Sequence, residues 1–223
     1  MVAGEPDEDL LPKSLEDAGP TDDVPQRASR LSAARRREQL LACALKVFAE
    51  HGLEAGSHVL LAAEAGVSVP LCFFHFKTRE ALVDAVLTEV ERLCRSAFAL
   101  ADDEALDPRV ALKRTSDALI AAMDHRLPSN HPMMIFIEWS VSVRSANWPR
   151  YLRLHRHIVG VLTRLIERGQ RQGHFRPDLN AEDEAELLHA ASFALAQLRM
   201  TGASARRIAR FQESMFRVIR FET

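Results

Sequence analysis

A chain of 223 residues with 47% apolar residues is long enough to build one large domain or two modest domains. Only 9 Gly and 1 Tyr stand against long stretches of Ala, Leu, Arg and Glu, a composition that favours helices and argues against a sheet sandwich. The net charge of −2 hides an asymmetry, because residues 1–26 hold eight acids against one lysine (−7), which leaves +5 for the remainder. A mildly basic body behind an acidic segment is compatible with nucleic-acid binding.

The cysteines, histidines and missing motifs argue against several functions. Cys43, Cys72 and Cys94 lie far apart without a Cys-x-x-Cys pair, so neither a disulfide framework nor a zinc ribbon is predicted. Without a signal-peptide core or a long apolar run, we expect a cytoplasmic protein that contacts no membrane. His155 and His157 face different sides of a helix, which predicts surface histidines rather than a metal site. No catalytic motif is found, so we expect neither enzyme activity nor a cofactor.

Residues 1–28 combine acids with four prolines and show no sustained periodicity. Such a segment cannot bury enough apolar surface to offset the entropy of ordering, so we expect a disordered acidic tail. A short helix around residues 10–15 is the alternative. The acidic tail suggests one role, which is to mask a basic DNA-binding unit by competing with DNA.

The first predicted helix begins after Ser32 and is expected to end at Gly52. Its apolar side chains recur at i, i+4 and i+7, the spacing of one helix face. These are Leu41, Leu45 and Phe48.

The segment from Ser57 to Phe76 has the turn chemistry of a helix-turn-helix. Ala62 lies four residues before Gly66, so a small residue allows two short helices to cross, and Gly66 supplies a turn that often needs positive φ. Ser68 can cap the second helix through its hydroxyl, and Pro70 falls in the first turn, where a missing N–H costs little. We interpret residues 29–77 as a DNA-binding domain whose second short helix enters the major groove.

Six further helices are predicted in residues 78–223, interpreted as a ligand-binding and dimerisation domain. Thr78 is a plausible N-cap for a long helix, and Pro108 and Pro149 open two others in their first turns. The remaining helices are expected at residues 133–144, 181–199 and 204–220. The helix after Pro108 is expected to bury Val110, Leu112, Leu119, Ile120 and Met123.

The last two helices carry the features of a dimer interface. Ala190, Ala191 and Ala194 allow close approach of helix backbones, and Ile208 and Phe211 begin an apolar stripe on the final helix. Together they predict a four-helix seam with a twofold mate. The alternative is that both helices complete the core of the monomer.

An adaptable apolar cluster in the second domain suggests a ligand pocket. Its candidate lining is Met123, Met133, Met134, Phe136, Trp139, Ser140 and Leu162. Glu138, Ser140 or Ser142 could orient the polar end of a small apolar ligand. Aromatic and Met stripes are also typical of plain core, so both interpretations stay open from the residues alone.

The block AGVSVPLCFFHFKTREALV, from Ala65 to Val83, resembles the signature of the TetR family of transcription regulators. GLEAGSHVLLAAEAGVSV and IEWSVSVRSANWP are similar to the LuxR/HapR quorum-sensing subgroup. The resemblance implies an all-α fold of about nine helices, with a three-helix DNA-binding head and a helical body. It also implies a homodimer that binds double-stranded operator DNA under the control of a ligand.

The resemblance places DNA contacts at the head of the molecule. The implied contact residues are Arg35, Arg36, Arg37, Ser57, His58, Ser68, Val69, Leu71, Phe74, His75, Lys77, Thr78 and Arg79. The three consecutive arginines match a basic arm that reaches toward the minor groove, whose negative potential suits arginine. A solvated helix start is the alternative for this run.

Two positions depart from the subgroup at the reading helix. Phe74 stands where the subgroup has Asn, and Leu71 stands where it has Thr, so few side chains can bond base edges. Thymine-methyl contact, shape readout, His75 and the arginines remain as routes to sequence preference. The alternative function is a TetR-fold protein whose apolar helix-turn-helix, with Val59 and Leu60, binds a protein partner.

Overall fold

The computed structural model describes residues 32–122 and 131–220. Within these ranges the chain forms nine helices and no strand, apart from an isolated antiparallel bridge between Phe175 and Arg220. The helices are α1 (Ala33–Ala55), α2 (His58–Ala65), α3 (Val69–His75), α4 (Arg79–Asp102), α5 (Pro108–Ala122), α6 (His131–Trp139), α7 (Trp148–Arg171), α8 (Ala181–Met200) and α9 (Ala205–Arg217). The prediction of an all-α fold is confirmed. The acidic segment 1–28 and Met123 lie outside the described residues.

Helix starts follow the predicted capping chemistry closely. The Thr78 hydroxyl accepts a hydrogen bond from the Ala81 N–H at 3.1 Å and so caps α4, and Pro108 is the first residue of α5. Each such cap satisfies one of the N–H groups that a helix start leaves unpaired. Ser68 occupies the N-cap position of α3, but its hydroxyl makes no capping bond, contrary to the expectation.

Two glycines shape the N-terminal three helices. Gly52 has φ +85° and breaks α1. About one more turn follows and ends at Ala55, so the helix end predicted at Gly52 is a break within α1. Gly66 has φ +63° in the left-handed region, as predicted, and its N–H bonds to the carbonyls that end α2. As a result α2 and α3 meet at 111°, within the range of a helix-turn-helix.

One continuous core runs from the N-terminal helices into the body. Helix α1 packs on α2, α4 and α6, while α4 also packs on α5 and α7, and α7 packs on α8. The apolar stripe of α4 is buried, with Leu82, Val86, Leu87 and Val90 fully shielded from solvent. Because α4 belongs to both halves of this core, burial of its apolar stripe ties the N-terminal helices to the body.

The structure corrects two predictions about the body. Helix α6 ends at Trp139 rather than at 144, and Val141 and Val143 in the following turn are 71% and 61% exposed. The hydroxyls of Ser140 and Ser142 donate to backbone carbonyls one turn earlier, which competes with continuing the helix. On α5, Val110 faces solvent, whereas Thr115 and Ser116 are buried.

No single helix in the two described ranges has the length and apolar composition of a membrane span. Helices α2 and α3 together reach the length and apolar composition of a membrane span, but they are bent by 111° at the turn between them.

Candidate nucleic-acid interface and core cavities

The solvent-facing side of α3 is formed by apolar side chains. Pro70, Phe73 and Phe74 lie at i, i+3 and i+4, so they share one face of the helix. Phe73 is 46% exposed and Phe74 is 72% exposed. Val69, Leu71 and His75 are half-buried beside this face. The helix expected to read DNA therefore presents carbon rather than hydrogen-bonding groups.

His58, an expected DNA contact, has a structural role within the protein. It is buried, and its Nε2 lies 2.5 Å from the Phe76 carbonyl oxygen, so the proton sits on Nε2 and is donated to that carbonyl. The imidazole stacks on the Phe73 ring, with 3.9 Å between centroids and 7° between planes. His58 thus joins the start of α2 to the end of α3. Ser57 caps α2, since its hydroxyl accepts from the Leu60 N–H.

The three arginines of the expected basic arm lie in the first turns of α1. Arg36 donates to the Gln39 side chain at 3.1 Å. The Arg37 guanidinium lies 5.0 Å from the centroid of the Phe76 ring, a cation–π contact that places it beside the end of α3. Arg35 is exposed.

Lys77, Thr78 and Arg79 lie where α3 passes into α4, and all three are exposed. Arg79 is engaged within the protein, because its Nη2 donates to the carbonyl oxygens of Leu53 and Glu54 at 2.7 and 2.6 Å. The guanidinium therefore clamps the end of α1 against the start of α4.

Glu138 approaches the same segment from the body. Its Oε1 accepts a hydrogen bond from the Leu53 N–H at 3.0 Å, just after the break at Gly52. Glu138, which had been considered as a group that orients a ligand, binds the N-terminal helices through this contact. Together with Arg79, it fixes the backbone at 53–54 from both sides. Sequence reasoning missed this link, whose partners are 85 residues apart.

Two small cavities lie inside the body. One, of about 20 Å³, includes Leu162 in its lining, and the other, of about 10 Å³, includes Met133 and Phe136. They share the walls Phe98, Leu119, His189 and Ser192. The predicted pocket is thus divided.

Three of the predicted lining residues border neither cavity, namely Met134, Trp139 and Ser140. Trp139 is fully buried core, and its indole N–H donates to the Asn147 carbonyl at 3.2 Å. This tryptophan therefore closes the turn after α6 instead of lining a pocket.

Unpaired polar groups face the larger cavity. His189 and Thr115 are buried there, and neither the imidazole nitrogens nor the Thr115 hydroxyl has a hydrogen-bond partner within the described part of the chain. Burial lowers the pKa of His189 to about 4, with a smaller contribution from His155, so the ring is neutral near pH 7. Sequence analysis missed both residues. Helical spacing could have identified them, because it places both residues on the buried sides of their helices. His189, for example, follows the buried Ala185 by four positions, about one helical turn.

His155 is also placed differently from the expectation. It is half-buried, with Nε2 3.3 Å from Glu186 Oε1 and its ring centroid 5.0 Å from that of His189. Across residues 32–122 and 131–220 no group of three His, Cys, Asp or Glu side chains is placed to hold a metal ion.

An all-helical chain with two short helices crossing at a left-handed glycine has the architecture of the helix-turn-helix transcription regulators. Residues 40–86 match the family model of the bacterial regulatory proteins, tetR family. The HTH-type transcriptional regulator LuxR of Vibrio harveyi is 31% identical over 171 residues, which cover 75% of this chain and 80% of LuxR. The chain belongs to the TetR family of transcription regulators.

Solved structures agree on the fold. The ketosteroid transcriptional regulator KstR2 of Mycobacterium tuberculosis superposes with a TM-score of 0.66 at 21% identity, covering 84% of this chain and 96% of KstR2. The SmeT–triclosan complex gives a TM-score of 0.68 at 16% identity, covering 84% of this chain and 93% of SmeT.

Proposed function

We propose that this regulator binds a pseudo-palindromic DNA operator as a homodimer and that a small ligand in the body controls this binding. Residues 29–77 would form the DNA-binding head, and residues 78–223 would form the body. The observation that carries the proposal is the helix-turn-helix of α2 and α3, with α3 exposed along one face. The similarity to LuxR supports a role in the quorum-sensing branch of the family.

The outer faces of α8 and α9 support dimerisation. On α8, Leu187 is exposed, and Ala190 and Ala194 follow it on the same side of the helix. On α9, Phe211 is exposed, whereas Ile208 of the expected stripe is buried in the monomer; Val218, the residue that follows α9, is also exposed. Large apolar side chains beside small ones suit close packing against a twofold copy of the same surface.

The core cavities support a ligand of defined chemistry. Their walls are mainly apolar, while Thr115 and neutral His189 offer unpaired hydrogen-bonding groups. A ligand without charge, largely apolar and carrying one hydroxyl or carbonyl, matches this lining. Cavities of 10 and 20 Å³ hold about one water molecule each. The body must therefore open to admit a ligand, and this opening links binding to a second shape of the dimer.

The test is selection of bound sequences from a random DNA pool with the purified full-length chain. We expect a pseudo-palindrome with half-sites about one helical turn apart. Binding to the recovered sequence no tighter than to random DNA at moderate salt would contradict the proposal. Light scattering on the same sample measures the molar mass of the protein. A monomeric mass would contradict the proposed homodimer.

A second candidate function has its own support. Val59, on α2, is 64% exposed, and α2 packs on α3, so the helix-turn-helix carries exposed apolar side chains suited to a protein partner. This function predicts that selection returns no enriched DNA sequence. It also predicts that polar substitution of Val59 leaves DNA binding unchanged.

A further inference from the structure

We propose that Phe74, supported by Phe73, reads the 5-methyl groups of thymines in the major groove, so that the operator is recognised through methyl contact more than through hydrogen bonds. This inference rests on the proposed function, because it assumes that α3 enters the major groove of an operator.

The face of α3 that is open to solvent has the chemistry for such contacts. Pro70, Phe73 and Phe74 carry no hydrogen-bond donor or acceptor in their side chains, and they share one helix face. In the major groove a thymine differs from a cytosine partly by its C5-methyl group, which an apolar side chain can cover. Phe74, with 72% of its surface exposed, is the most exposed large hydrophobic side chain in the described part of the chain.

One ring of this aromatic face is packed against the protein before any partner binds. Phe73 stacks on His58 at 3.9 Å, and His58 is itself held by the Phe76 carbonyl. Phe74 lies edge-on to the His75 ring, with 5.2 Å between centroids and 88° between planes. A ring stacked as Phe73 is loses little conformational freedom on binding, and it gives Phe74 a firm neighbour on the same face.

The charges around this face select DNA over a protein partner. Lys77 follows Phe74 by three residues, and the Arg37 guanidinium lies over Phe76 at the end of α3. Glu64 is the sole acid between positions 57 and 79, and it is paired with Lys46 at 2.7 Å. An apolar strip flanked by cations matches a groove whose floor carries methyl groups and whose edges carry phosphates.

The experiment removes only the methyl groups. Thymines of the selected operator are replaced one at a time by deoxyuridine, and affinity for the full-length protein is measured at fixed salt. We expect a loss of about fourfold for each contacted methyl, from the free energy of burying one such group, and about 15-fold when both half-sites are changed. Thymines outside the half-sites serve as the DNA control.

Variants assign the effect to the side chain. Phe74→Ala should bind thymine and uracil operators equally, with an affinity near that of the unaltered protein for the uracil operator. Val110→Ala, which shortens an exposed valine of the body, should keep the full methyl effect. Circular dichroism and thermal melting check that both variants fold, and Phe74→Leu, which keeps an apolar side chain, should retain part of the effect.

The possible results distinguish a failure of this inference from a failure of the proposed function. An operator that binds equally well with thymine or uracil overturns methyl reading but leaves the DNA-binding function standing. A methyl effect that persists in Phe74→Ala overturns the assignment to Phe74. A selection that returns no operator contradicts the proposed function itself, and the apolar face then belongs to a protein partner.

Discussion

Replacing Glu138 by alanine should loosen the attachment of the N-terminal helices to the body. Leu53 is buried and its N–H donates to Glu138 Oε1 at 3.0 Å in a partly buried hydrogen bond, so the substitution leaves this donor without its charged acceptor. Hydrogen bonds to charged groups contribute about 1.5–3 kcal/mol, and an orphaned buried donor costs a similar amount. The Arg79 clamp on the neighbouring carbonyls remains, which keeps the loss local.

The direct measurement is hydrogen exchange at the Leu53 amide. At about 1.4 kcal/mol per factor of ten, exchange should be about 10-fold to 100-fold faster in Glu138→Ala. Glu138→Gln keeps an oxygen acceptor and should recover most of the protection. Glu54→Ala removes the same charge from an exposed neighbouring position and should leave exchange unchanged. Protection at Leu53 that is equal in Glu138→Ala and the parent would refute the reasoning.

Three further predictions concern stability and regulation. The pKa of His189 is about 4 in the folded state and 6.5 in the unfolded state. The free energy of unfolding should therefore fall by about 3 kcal/mol as the pH falls from 6.5 to 4, because the unfolded state takes up the proton first. Urea titrations of His189→Leu should lack this loss. Gly169→Ala places a Cβ 2.0 Å from the fully buried Phe175 ring and should cost about 1–3 kcal/mol, whereas Gly160→Ala on the same helix should be neutral or stabilising in thermal melts. Deleting residues 1–28 should tighten operator binding if that segment masks the head, and unchanged affinity in a gel-shift titration would dispose of masking.

Local chemistry made the helix boundaries predictable from the sequence. Gly66 takes the left-handed conformation, Thr78 caps α4 and Pro108 opens α5, each because a residue type satisfies a backbone requirement within four positions. The early end of α6 could not be foreseen from its apolar composition. At this end the hydroxyls of Ser140 and Ser142 bond to backbone carbonyls of the preceding turn, which favours leaving the helix.

The sites were harder to predict because their partners are distant in sequence. Arg79 matched a family position for DNA contact, yet its guanidinium binds carbonyls 25 and 26 residues away. Likewise, Trp139 looked like pocket lining from its neighbours, but the cavities lie around His189, on a helix 50 residues later. Periodicity shows which side chains turn inward and does not show which of them meet.

Because the exposed face of α3 is apolar, its contacts with DNA would depend on base modification as well as on base sequence. Methylation of cytosine at C5 adds to the major groove the same group by which thymine is recognised. The side chains of Pro70, Phe73 and Phe74 have no atom that senses the exocyclic amine of cytosine. Enzymatic methylation of an operator would therefore create new contacts for this face without changing a single base pair.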